Sequence, residues 1–178
     1  MFKTTSLKPL PKQGDPRKFA QQGVSLDGTV AVSALPRLVE AVQDSSGDIQ
    51  VDLVFGISVE KKKMVTGCAT GELTLICQRC LTNVKVPVTS NISLAVVWDE
   101  EEAEALPEYL DPWIVGEGAA DLYDMVEEEM LLSLPAVAYH EELCIDSKLL
   151  VSGKPVEVKK TKNPFQVLEQ LKSSPKED

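Results

Sequence analysis

Four residues carry the chemistry that this sequence offers. Cys77 and Cys80 are spaced C-x-x-C in LTLICQRCLTNVKVPV, residues 73–88, and His140 with Cys144 makes an H-x-x-x-C pair in AYHEELC. Three thiols and one imidazole complete a tetrahedral zinc set, with bonds of about 2.3 Å to sulfur and about 2.0–2.1 Å to nitrogen. The C-x-x-C pair has two other uses, as a redox couple or as small buried residues. A redox couple normally opens a helix, whose N-terminal amides lower the thiol pKa, and LTNVKVPV has no helical period. Cys68 stands outside the set and reads as a buried strand residue. His140 is the single histidine of the chain. No Ser/His/Asp set, P-loop, G-x-G-x-x-G or H-E-x-x-H is present, so no catalytic machinery is expected and the chain reads as a non-enzyme.

The elements that would position these residues follow from hydrophobic period. Every odd position from Ile49 to Val59 is apolar, the signature of a half-buried strand. A second strand is expected from about Met64 to Ile76. A third, from about Val84 to Val97, places Val84, Val86, Val88, Ile92, Leu94 and Val96 on one face. Short connections make the three an antiparallel meander, with the C-x-x-C at the turn between the second and third. A helix near 34–43 is capped by Ser33, carries Pro36 in its first turn and shows the stripe Leu35, Leu38, Val39 and Val42. Another over 121–134 is capped by Asp121, buries Leu122, Met125, Val126 and Met130, and stops at Pro135. Residues 99–112 are too acidic and Pro-interrupted for core and read as a solvated loop with at most one helical turn.

The fold class is therefore α+β, an antiparallel sheet from residues 49–97 with helices packed on it. The organisation expected is a flexible basic arm over 1–23, one domain over 24–150, and a basic linker with a short helix over 151–178. That last helix would be capped by Asn163, with Phe165, Leu168 and Leu171 as its apolar face.

Charge says more than composition. The net charge is -10, yet no Lys or Arg lies between Val86 and Ser147, a stretch holding 16 of the 28 acidic residues. One surface should be strongly negative and suit a basic partner through Glu100, Glu101, Glu102, Glu104, Glu127, Glu128 and Glu129. The positive remainder offers Lys154, Lys159, Lys160 and Lys162 for a secondary contact to RNA. Phosphate neutralisation as the main mode of binding calls for a dominant basic surface, the reverse of what is found. No apolar run approaches the roughly 20 residues that span a bilayer, and the N-terminus lacks the pattern of a secretory signal, so the cytoplasm is the expected compartment. Four cysteines there stay reduced, which favours metal or redox use over a disulfide.

Taken in order, ICQRCL, EEAEALPEYLDP, DLYDMVEEEMLLSLPAVAYHEELC and KNPFQVLEQLK resemble the bacterial YceD family of large ribosomal RNA subunit accumulation proteins. The resemblance covers most of the chain beyond the first 20 or so residues. It implies a cytosolic, non-enzymatic factor for the synthesis, processing or stability of 23S ribosomal RNA, encoded commonly beside a large-subunit ribosomal protein. It brings no catalytic residues. Joined to the charge division, it implies work by binding, against the alternative of a thiol redox protein using Cys77 and Cys80.

Overall fold

A computed structural model describes residues 8–146. Along the chain come β1 (Gln13–Gly14), α1 (Pro16–Gln22), β2 (Ser25–Ala31), a 3-10 turn (Val32–Ala34), α2 (Pro36–Ala41), β3 (Asp48–Ile57), β4 (Lys63–Ile76) and β5 (Asn83–Val97). They are followed by α3 (Glu100–Glu104), β6 (Asp111–Ile114), β7 (Ala120–Asp121) and α4 (Leu122–Leu132). The fold is α+β. A five-stranded sheet runs β2-β3-β4-β5-β6, and β1 with β7 makes a small antiparallel pair.

The meander is as the alternation requires. β3, β4 and β5 pair antiparallel, with Phe55 opposite Val65 and Val65 opposite Leu94. Registered neighbours share a face, so Ile49, Val51, Leu53 and Phe55 join Val65, Ala69, Leu73, Val88, Ile92 and Leu94 in one core. The helices cover that face. Leu122, Met125, Val126 and Met130 of α4 are all buried. Asp121 caps α4, accepting from the backbone N–H of Tyr123 at 2.8 Å and of Asp124 at 3.3 Å.

Four departures have local causes. The sheet is mixed, because β6 adds to β5 in parallel, Leu94 opposite Asp111. Reversing twice needs about a dozen residues, and the acidic connection through α3 supplies them. β2 has no marked period in the sequence; it pairs antiparallel with β3 and buries only Gly28 and Val30, too short an alternation to stand out.

The third departure is the arm, which does not hold for the described part of 1–23. Asp15 caps α1 through Arg17 N–H at 3.1 Å, Pro16 sits in the first turn, and Gly23 ends the helix at φ 64. Residues 8–10 lie along β2, with Leu10 N–H donating to Thr29 O and Thr29 N–H to Lys8 O, both at 2.9 Å. They approach so closely at Gly28 that a Cβ there would fall 2.8 Å from Leu10 N. Arg17 is buried, lies 3.3 Å over the Trp98 ring, and donates to the carbonyls of Val97, Val115 and Gly116. A cation that composition marked as part of a solvated arm is thus a clamp on the ends of β5 and β6.

Finally, α2 begins at Pro36 with Leu35 at its cap, so Ser33 caps nothing. Of the expected stripe, Leu35, Leu38 and Val42 are buried and Val39 is half-buried. The expected C-terminal helix, and with it Lys154, Lys159, Lys160 and Lys162, lies outside the described residues. No helix among those described is long and apolar enough to cross a membrane.

Candidate metal centre

The hairpin between β4 and β5 turns over Cys77, Gln78, Arg79 and Cys80. Cys77 N–H donates to Thr82 O and Leu81 N–H to Cys77 O, each at 2.9 Å, which folds the turn back on its first cysteine. Leu81 takes the left-handed conformation, φ 60, directly after Cys80. That reversal aims both thiols to the same side, where no helix follows.

The other half of the set arrives from the far end of α4. Ser133 ends that helix, Pro135 forbids its continuation, and residues 136–144 return along the hairpin. They are held there by polar contacts. Gln78 N–H donates to Ala138 O at 2.9 Å, and the Arg79 guanidinium donates to the carbonyls of His140 and Glu142 while lying 5.2 Å from the Tyr139 ring.

These contacts bring one atom each of Cys77, Cys80, His140 and Cys144 within 4.8 Å of one another. Cys77 Sγ is 3.7 Å from Cys144 Sγ, and Cys80 Sγ is 3.4 Å from His140 Nδ1. In a zinc tetrahedron, bonds of about 2.3 Å to sulfur and 2.0–2.1 Å to nitrogen put two sulfurs about 3.8 Å apart and sulfur and nitrogen about 3.6 Å apart. The residues present fit such an ion in type and number, and these two separations match the tetrahedral values.

The surroundings favour the thiolate at Cys77 and Cys80, and oppose the metal-binding forms of Cys144 and His140 until an ion displaces their protons. His140 Nε2 faces Asn83 O at 3.2 Å, which places the proton on Nε2 and leaves the Nδ1 lone pair toward the thiols. Burial pushes the Cys77 thiol up, but the backbone N–H groups of Cys80, Arg79 and His140 outweigh it together and hold the group down at about 5. Thr82, whose hydroxyl is 3.1 Å from Cys80 Sγ, lowers the Cys80 thiol. Burial raises Cys144, and the neighbouring Cys77 thiol raises His140. A divalent ion with three thiolates carries a net charge of -1, and Arg79 provides the adjacent cation.

The acidic residues divide into different roles. Glu127 is buried and is not part of any surface: its Oε1 accepts from Arg37 N–H at 2.7 Å and Leu38 N–H at 3.1 Å. It therefore supplies from α4 the cap that α2 lacks, since Pro36 has no N–H and Leu35 no acceptor. Glu128 pairs with Arg37 at the surface. Glu129 is half-buried and accepts from Ser90 Oγ at 3.3 Å. Asp99 and Glu102 cap α3 together, Asp99 Oδ1 accepting from Glu102 N–H and Glu102 Oε2 from Trp98 N–H, each at 2.9 Å. Glu100, Glu101 and Glu104 are exposed. Sequence reasoning missed Arg79, Thr82 and Asn83 as supports of the ligand set; the available signal was an arginine and two hydrogen-bonding residues within three positions of a C-x-x-C.

Comparison with known proteins adds a family. The model of the large ribosomal RNA subunit accumulation protein YceD family matches residues 65–172. The large ribosomal RNA subunit accumulation protein YceD of Haemophilus influenzae is 35% identical over 167 residues, covering 92% of this chain and 96% of its own. No solved structure matches.

Proposed function

Because this chain belongs to the YceD family of large ribosomal RNA subunit accumulation proteins, we propose that it supports the synthesis, processing or stability of 23S ribosomal RNA in the cytoplasm. The observation that carries this is the 35% identity to a protein of that name over nearly the full length of both chains. The mode of action is binding rather than catalysis. The acidic surface between Asp99 and Glu129 engages a basic ribosomal protein or processing factor, and Lys154, Lys159, Lys160 and Lys162 make a secondary contact to RNA.

Within this reading, Cys77, Cys80, His140 and Cys144 hold one zinc ion as a structural clip. Its support is the convergence of four ligand atoms within 4.8 Å together with the His140 to Asn83 bond that orients the imidazole. The ion would supply no reaction; it would fasten residues 138–144 to the β4–β5 hairpin. A redox use of Cys77 and Cys80 is disfavoured by the hairpin turn in which they lie.

Deletion of the gene tests the function. The expected result is a fall in mature 23S RNA and in large subunits, with small subunits spared at first; normal 23S RNA and normal subunit profiles would overturn it.

A further inference from the structure

α4 covers the sheet only as far as β5, and β6 lies beyond it. Registered partners share a face, so Leu94 with Asp111, and Trp113 two residues on, look toward the helix across a gap. From the helix side Asp124, Met125, Glu128, Glu129 and Leu132 fall at i, i+1, i+4, i+5 and i+8, one contiguous face. Between these walls is a groove of about 510 Å³, open to solvent, in the size range of binding clefts.

Its lining has two parts. Leu94, Pro112, Trp113, Met125 and Leu132 make an apolar floor and wall, and Leu132 is 74% exposed although it sits on the groove-lining face of a helix. Asp111, Asp124, Glu128 and Glu129 make the rim. Arg37 pairs with Glu128 and its charge also reaches Asp124, whereas Asp111 and Glu129 form no ion pair among the described residues. Burial, then the charges of Asp111 and Glu128, push the Glu129 carboxyl upward, opposed by Ser90. An arriving cation would relieve that repulsion, and an arriving aliphatic side chain would cover Leu132 and Trp113.

We propose that this groove between α4 and β6 is the docking site for a Lys/Arg-rich segment of a partner protein that carries an aliphatic anchor. The proposal rests on the reading of the chain as a factor that holds a basic partner, and it locates the contact. Single-sign rims speed encounter, whereas a desolvated apolar floor slows release. The exposed acids of α3 therefore serve attraction, and the groove serves retention.

The test uses the full chain and an immobilised dodecapeptide of Lys, Arg and Leu, beside a version with every Leu replaced by Gln. The Leu peptide should bind at least tenfold tighter than the Gln peptide. The pair Asp111→Lys and Asp124→Lys, both at exposed positions on the rim, should weaken it at least tenfold, with slower association and a reduced salt dependence. Leu132→Gln should weaken it several-fold without loss of fold. Glu100→Lys, Glu101→Lys and Glu104→Lys together should slow association at low salt and leave dissociation unchanged. Equal binding of both peptides, or groove variants that bind as well as the parent, would overturn the proposal. So would concentration-dependent dimerisation abolished by Leu132→Gln, which would make a second copy the occupant. A deletion strain with normal 23S RNA would sink the ribosomal reading alone, and peptide binding would be unaffected by that outcome.

Discussion

At the start of β5, Cys80 and Asn83 face groups delivered by residues 138–144, and ligand atoms, backbone donors and Arg79 converge on one small volume. Near its far end, Leu94 looks into a groove whose carboxylates Asp111 and Glu129 form no ion pair among the described residues. The same strand thus ends in a closed site and an open one. Thiols and an imidazole that converge from two segments define a place that fits an ion. Charges left unpaired around an apolar floor define a place for something that arrives and leaves.

The contrast breaks most visibly if the closed site is opened. Chelation, or Cys144→Ser, should lower stability by about 4 kcal/mol if free metal normally stands about a thousandfold above its dissociation constant. In a domain of this size that is a fall in Tm of about 8–16 °C, read by calorimetry. Acidification should release the ion too, because protons compete for three thiolates and one imidazole.

Next in size is the link between the two regions. Glu127→Ala removes the acceptor for two backbone donors at the start of α2 and should cost about 1–3 kcal/mol in denaturant unfolding, the cost of leaving the buried Leu38 N–H unsatisfied, since the part-buried Arg37 N–H can turn to water. Glu127→Gln keeps one acceptor oxygen and should recover most of the loss. A cost below about 0.5 kcal/mol would show that water replaces the cap.

Much of this arrangement was readable before any coordinate. Alternation located β3, β4 and β5 within a residue or two, and the α4 stripe is buried residue for residue. The four ligand candidates were recoverable from type and count, because so few cysteine and histidine residues leave little choice. What was not readable depended on distance. Glu127 looks identical in sequence to its neighbours Glu128 and Glu129, and only the approach of α2 distinguishes it. Arg17 lies in a polar, Pro-containing stretch, and its clamp is defined by carbonyls some 80–99 positions away. The groove is a failure of coverage, which no local pattern encodes.

Two smaller effects sharpen the comparison. Leu81→Gly removes a side chain from the left-handed turn after Cys80, is 72% exposed in the parent, and should raise stability by up to about 1 kcal/mol without weakening metal binding. At the groove, burial raises the Glu129 carboxyl above its unfolded value, so the folded state holds its proton more tightly. Its contribution is favourable at acid pH and is lost as pH rises through the folded pKa. Glu129→Gln should therefore give a small rise in Tm at pH 7 that disappears below about pH 4, where both states are protonated.

The most direct measurement is native mass spectrometry of the full chain purified without chelator and supplied with zinc at neutral pH. The expected mass is that of one chain with one zinc ion, reduced to the bare chain by Cys144→Ser while Cys68→Ser leaves it unchanged. A bare parent chain in excess zinc, or an ion retained equally by Cys144→Ser, would contradict the closed site at the β4–β5 hairpin.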